Sequence, residues 1–240
     1  MGEFEQDRAA IERHYLERFL PSSPWASLIN NQPYLYQRQR QRRLREALVA
    51  CGYGAADRLR DLTALDIGCG AGNNLAWLAD LGADPAHLTG IDLLEPRVDV
   101  ARARFKGIHF LAGDITETDV GGPYDVVMLI AVLTSVVNPA FKRRIVDRAL
   151  SLLKPSGVFF FYDVVTRRPV TGTADYQCLT FDELDAYVAP HRFHYFKRDL
   201  LKPRLVDRLV PRHGVAVAEL VQATGLFNID GTFAYLQRRP

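Results

Sequence analysis

The segment Asp66-Ile-Gly68-Cys-Gly70-Ala-Gly72-Asn-Asn74 constrains this 240-residue chain more than any other. It follows the apolar run Leu62–Ile67 and precedes Asn73–Leu81, where Leu75, Trp77, Leu78 and Leu81 recur at helical spacing and Gly82 ends the pattern. Glycines between a strand and a helix allow backbone angles closed to other residues and let a ligand approach the main chain. The helix start adds unpaired N–H groups and the positive end of a dipole. Such a loop suits an anionic or polar group.

The alternation continues downstream. His87–Asp92, Ile108–Leu111, Tyr124–Val132 and Val158–Val165 read as strands, and Phe193–Phe196 and Thr232–Leu236 as the last two. Tyr124–Val132 is nearly all apolar, as a strand covered on both faces must be. Pro96 opens one intervening helix. Asn138-Pro139 opens another as N-cap and N1, and Phe141, Ile145, Ala149 and Leu152 form its buried stripe. Lys154-Pro-Ser-Gly157 reads as a turn, and Thr180-Phe-Asp-Glu183 as a capping box. Strands alternating with helices predict an α/β fold around a mostly parallel sheet. Residues 1–61 read as an N-terminal helical cap, with helices over about 4–19 and 34–50 joined by Pro21-Ser-Ser-Pro24. Residues 62–240 form the α/β domain, with a further cap insertion around 200–231.

Composition excludes several classes. Thirty Lys+Arg against 28 Asp+Glu, with 48% hydrophobic residues, is ordinary for a globular chain. The apolar runs are far shorter than the roughly 20 residues of a membrane-spanning helix. The N-terminus is charged and has no apolar core of a signal peptide, so a cytoplasmic location is expected. Three cysteines without a CxxC pair argue against a disulfide framework or a Cys-rich zinc site. No His/Cys/Asp cluster has ligand spacing, so no metal is expected. Residues 190–240 hold nine Lys/Arg and four Asp/Glu, a basic segment that suits either solvent or an anionic acceptor.

The loop's details separate cofactor classes. A dinucleotide fingerprint starting at Gly68 needs a third glycine at 73, where this chain has Asn73. The pattern is instead an acid followed by G-x-G-x-G. This resembles motif I of the class I S-adenosylmethionine-dependent methyltransferases. Gly90-Ile-Asp92, Ala-Gly-Asp114-Ile115, Tyr124–Ile130 and Leu152–Gly157 resemble the family's later landmarks in order. The resemblance covers roughly 40–165 and lies closest to bacterial enzymes of small-molecule or surface-polysaccharide pathways. It implies a Rossmann-like seven-stranded sheet of order 3-2-1-4-5-7-6, with helices on both faces and strand seven antiparallel. It also implies S-adenosyl-L-methionine as cofactor and S-adenosyl-L-homocysteine as product. The cofactor site it implies comprises Asp66, Gly68, Gly70, Gly72, Asn73, Asp92 at the ribose, Leu93, Arg97, Asp114 at the adenine amino group, Ile115 on the ring, Leu129 and Ile130. Tyr34 or Tyr36 from the cap would close over it. Arg38, Arg42 and Arg45 lie on one helical face, from which one of them could reach the methionine carboxylate.

The acceptor should lie beyond the carboxyl ends of strands four and five, near Thr134, Ser135, Tyr162 and Asp163. Asp163 is the first candidate for a base, since an apolar setting raises a carboxyl pKa. Tyr162 and His191 are the other catalytic candidates, and Arg167 and Arg168 could clamp an acidic group. The expected reaction is methyl transfer to a small-molecule or saccharide acceptor at a hydroxyl oxygen, and the basic segment would suit an anionic one. N-methylation of a small molecule, a nucleic-acid methyltransferase and a catalytically silent binding module are the alternatives. Nucleic acid is disfavoured by the lack of an interleaved basic–aromatic stripe. A monomer or homodimer is expected.

Overall fold

A computed structural model describes residues 4–18, 27–173 and 176–237. The proposed Pro21–Pro24 connection lies outside them.

Helices α1 (Glu5–Arg18), α2 (Asn31–Ala50) and α3 (Ala56–Arg60) precede the first strand. Then β1 (Ala64–Ile67), α4 (Asn73–Leu81), β2 (Leu88–Asp92), α5 (Glu95–Arg104), β3 (His109–Ala112), β4 (Tyr124–Ile130), α6 (Pro139–Ser151) and β5 (Leu153–Asp163) alternate. Two short strands, β6 (Val165–Thr166) and β7 (Leu179–Thr180), pair in parallel before α7 (Phe181–Val188) and β8 (His194–Phe196). Next come β9 (Leu200–Leu201), α8 (Pro203–Ala223), β10 (Asn228–Ile229) and β11 (Thr232–Gln237), with β9 and β10 antiparallel.

The main sheet runs β3-β2-β1-β4-β5-β11-β8. Only β11 is antiparallel to its neighbours, so the sheet has the order that the resemblance implied. Register brings Ile67, Asp92, Ala112, Ile130 and Asp163 to one edge.

The apolar strands feed two cores by simple alternation. Val127, Leu129, Phe159 and Phe161 pack on the α6–α7 side. Val126, Met128, Ile130, Phe160 and Tyr162 pack on the α2–α4–α5 side. Each fully buried phenylalanine contributes about 2 kcal/mol of apolar transfer.

Three boundaries differ from the sequence reading, each for a physical reason. β4 stops at Ile130 because Ala131 takes φ +57°, a left-handed conformation that breaks the ladder. β5 begins at Leu153 because Leu153 pairs with Tyr124. Lys154–Gly157 then bulges out before Val158 pairs with Val126, and the Lys154 ammonium reaches Asp125 at 2.8 Å. α2 begins at Asn31 because Pro33 falls in the first turn, where its missing N–H costs nothing. Within 200–231, α8 lies along α2 and breaks at Gly214 (φ +80°) after Pro211.

Asn138 caps α6, accepting from Ala140 N at 2.9 Å and Phe141 N at 3.4 Å. Asn138→Ala should cost about 1 kcal/mol in urea unfolding, the usual loss for an N-cap; an unchanged midpoint would show that the cap contributes nothing.

Candidate functional site

The glycine loop is fastened to the end of β2. Gly68 N and Cys69 N both donate to the Ile91 carbonyl, at 2.8 and 3.0 Å. Gly70 N donates to Asp92 Oδ2 at 2.7 Å, and Leu94 N to Asp92 Oδ1 at 2.9 Å. Gly68 and Gly72 have φ of +73° and +79°. A Cβ on Gly68 would lie 2.5 Å from Val132, and one on Gly72 would lie 2.7 Å from Phe110. Gly68 keeps the loop close to the β4 end, while Gly72 lets it pack on β3. A Cβ on Gly70 would collide with the Arg97 guanidinium.

Beneath the loop, the Asp66 side chain is fully buried. Its Oδ2 accepts from Asn74 Nδ2 at 2.9 Å, while its Oδ1 has no hydrogen-bond partner. Burial pushes its pKa up to about 7, against the Asn74 hydrogen bond and the charge of Arg40. Arg40 projects from α2, with its guanidinium 5.0 Å from the Tyr36 ring centroid, and its buried Nε also has no partner. A buried carboxylate oxygen and a buried guanidinium nitrogen, each with unused hydrogen-bonding capacity, therefore sit within electrostatic reach of each other.

A cleft of about 620 Å³, measured out to its open mouth, lies over this edge. Its lining includes Gly68, Asp92, Leu93, Arg97, Asp114 and Ile115 of the residues expected there, with Gly113 and Val132 beside them. Phe141 and Ile145 of α6 make an apolar wall, and Ile11 and Tyr15 of α1 close the top. Tyr15 donates to the Ala131 carbonyl at 2.5 Å, accepts from Ser135 Oγ at 3.2 Å and lies under Arg97. Gly70 N of the loop and Leu94 N at the start of α5 use two of the roughly four lone-pair sites of the Asp92 carboxylate, which leaves two, with the Arg97 guanidinium 3.8 Å from Oδ2.

Several expected roles are corrected. The Asp114 carboxylate accepts from Thr116 N, Thr116 Oγ1 and the Arg8 guanidinium, so Arg8 already holds the oxygen expected to meet an adenine amino group. Arg8 also pairs with Glu117. Asp163 is buried but engaged: Oδ1 accepts from Thr134 Oγ1 at 2.6 Å and Val164 N at 3.0 Å, and Oδ2 from Thr134 N at 3.0 Å. Burial raises its pKa while these bonds oppose the rise. It clamps the loop after β4 to the end of β5 rather than presenting a base. His191 precedes β8, which runs parallel to β5, so it sits toward the opposite edge of the sheet. Arg167 and Arg168 are exposed on the loop after β6. Asn73 is exposed, and its neighbour Asn74 turns inward. Leu129 is buried in one core and Ile130 in the other, and neither lines the cleft.

Tyr36 also lies outside the cleft lining; its ring sits 5.1 Å from that of Tyr162. Burial holds the Tyr162 phenol well above its ordinary pKa. Of the three arginines considered on α2, Arg38 pairs with Glu219 and Arg42 with Glu46. Arg40 is the one that turns inward. The signal for it was available: Tyr36, Arg40, Leu44 and Leu48 share one helical face.

Asp66 makes a stability prediction. Its folded pKa of about 7 exceeds the ordinary 3.8, so the folded state holds the proton more tightly and loses stability as pH rises from about 4 to 7. Asp66→Asn should therefore gain thermal stability over the parent across that window and hold the gain above pH 7. A melting-temperature difference independent of pH would overturn the assignment.

Comparison with known proteins relates this geometry to methyltransferases. A methyltransferase domain model matches residues 64–157. Mouse arsenite methyltransferase is 29% identical over 129 residues, covering 48% of this chain and 34% of that protein. The Bordetella avium ubiquinone biosynthesis O-methyltransferase is 32% identical over 120 residues, 48% of this chain and 47% of that protein. The match thus spans about a third to a half of these curated relatives. Among solved structures, a Burkholderia thailandensis 1,6-didemethyltoxoflavin N1-methyltransferase with S-adenosylhomocysteine bound aligns with TM-score 0.65 and 15% identity, covering 100% of this chain and 92% of that one. The N-methyltransferase NodS of Bradyrhizobium japonicum WM9 aligns with TM-score 0.63 and 17% identity over 98% of this chain and 100% of that one. The chain thus carries a methyltransferase domain over residues 64–157, on a sheet with the strand order of the class I methyltransferase fold.

Proposed function

We propose that this chain is an S-adenosylmethionine-dependent methyltransferase that methylates a nitrogen of a small molecule. The unpartnered pair Asp66 Oδ1 and Arg40 Nε carries the reading. Two buried polar atoms of opposite charge, left unmade at a cost of about 1–3 kcal/mol or more each, fit the ammonium and carboxylate of an α-amino acid. The methionine end of the cofactor is such a group. Asp92, with two acceptor sites remaining, suits a pair of ribose hydroxyls, and the apolar wall of Ile115, Phe141 and Ile145 suits a planar ring.

S-adenosylmethionine, when bound, supplies an electrophilic methyl group on a sulfonium. The protein's share is to orient the partners and exclude water. Gly68 and Val132 form the wall nearest the β4 end, and Tyr15 covers it while hydrogen-bonded to Ala131 and Ser135. The Thr134–Asp163 clamp fixes the loop that carries those contacts.

The state of the two candidate bases, Asp163 and Tyr162, bears on the accepting atom. An aliphatic hydroxyl must lose a proton as it attacks, whereas a neutral amine already offers a lone pair. Asp163 accepts three hydrogen bonds, and the Tyr162 phenol gives up its proton far above neutral pH. This favours nitrogen over the saccharide hydroxyl expected from the sequence. Two of the similar folds belong to proteins named as N-methyltransferases, which supports the same choice.

Calorimetric titration with S-adenosylhomocysteine tests the reading. Arg40→Ala should weaken binding at least about tenfold, the loss of a hydrogen bond to a charged group. Binding to the parent should weaken as pH falls below about 7, because Asp66 takes up a proton and loses its attraction for the ammonium. Asp66→Asn should bind weakly at every pH from 5 to 8. No binding to the parent, or full affinity in Arg40→Ala, would sink the proposal.

A further inference from the structure

A second cavity, of about 330 Å³ measured out to its open mouth, lies between α2, the antiparallel β9–β10 pair and the start of α8. Leu35 and Tyr36 line it from α2, Leu200 and Leu201 from β9, Val206 from α8 and Ile229 from β10. Its polar members are two glutamines already in use. Gln32 donates to Asp207 at 2.7 Å, and Gln222 Oε1 accepts from Leu201 N at 3.3 Å. No lining residue carries a charge. Such a groove cannot repay the desolvation of an ionised group, so its occupant must be apolar.

The groove reaches the end of β5 through Tyr36. Tyr36 lines it and contacts Tyr162, the residue before Asp163 at the end of β5. The Tyr162 hydroxyl lies beside Gly231, where a Cβ would sit 3.2 Å from it and 2.8 Å from Leu200. Tyr162 also accepts a hydrogen bond through its carbonyl from Ala131 N, and Tyr15 binds the Ala131 carbonyl from the cofactor side. At the other end, Leu226 and Phe227 are 75% and 46% exposed, and the Phe227 carbonyl accepts from Lys202 N beside the groove. Apolar side chains thus line the groove from Tyr36, against Tyr162, to Ile229.

We infer that the methyl acceptor is amphiphilic, with its accepting nitrogen at the Tyr36–Tyr162 end and an alkyl or aryl body in the groove between α2 and β9–β10. This rests on the methyltransferase reading above. It excludes a compact, fully polar acceptor such as a free sugar.

The protein saturated with S-adenosylhomocysteine is titrated with butylamine, hexylamine and octylamine. Affinity should rise about fourfold per added methylene, the value for burying one CH₂. Ile229→Asp, at a position that is 38% exposed and thus tolerant of charge, should flatten that dependence and leave S-adenosylhomocysteine affinity unchanged. Ile229→Trp, which fills the groove, should weaken octylamine more than butylamine. A flat chain-length series, or a slope untouched by both substitutions, would overturn the groove assignment while the cofactor reading stands. Failure of S-adenosylhomocysteine to bind would instead overturn the reading on which it rests.

Discussion

The hydrogen bonds between the end of β2 and the glycine loop are the contacts on which the site depends. Two loop amides share the Ile91 carbonyl, and a third is taken by Asp92. They turn the chain sharply after β1 without help from a side chain on the loop, and they aim the start of α4 at the cleft. Because β1 and β2 are neighbours in a parallel sheet, this fastening needs no insertion; it follows from strand order. Asp92 thus does two jobs with one carboxylate. Its loop-facing capacity shapes the site, and its remaining capacity faces the cleft.

Asp66 shows the cost of such a site. A carboxylate buried with one donor, in a core that offers no paired counter-charge in contact, destabilises the free protein above about neutral pH. An apolar residue or an amide would pack there at lower cost. The arrangement makes sense if a ligand completes it, since a cationic group would satisfy Oδ1 and pull the pKa back down. The same argument applies to Arg40, whose Nε is buried without a partner. Stability given up at two positions of opposite charge marks the place where binding energy is recovered.

The sheet was legible because its strands follow the strict rules of period and burial. Tyr124–Ile130 is apolar on both faces because both faces are covered, and the glycine loop announces its own position. The strand ends were less legible. The left-handed Ala131 leaves no compositional mark; Pro155 and Gly157 mark the bulge but read as a turn, and only the Leu153–Tyr124 pairing carries the strand across it. Side-chain direction on α2 was readable in principle. Reading the helix by its charges selected Arg38, Arg42 and Arg45, whereas reading it by its buried face selects Arg40. His191 was misjudged for a topological reason: a residue preceding a parallel strand lies at the edge opposite the ligand, whatever its chemistry.

Asp163 is where chemical type and structural role part company. A buried carboxylate at the end of β5 has the expected position and the raised pKa of a base, and both features arise from burial alone. Its three donors come from Thr134 and Val164, main chain and hydroxyl on either side of the strand end. A group so held binds its conjugate loop more strongly as an anion, so it loses that loop if it takes a proton. A base that disorders its own site on protonation is a poor catalyst for hydroxyl transfer. Held by these three donors it is instead a good brace, which fixes Ala131–Ser135 beneath Tyr15. Under the proposed N-methylation, proton removal follows methyl transfer, an order open to an uncharged amine and closed to an alcohol.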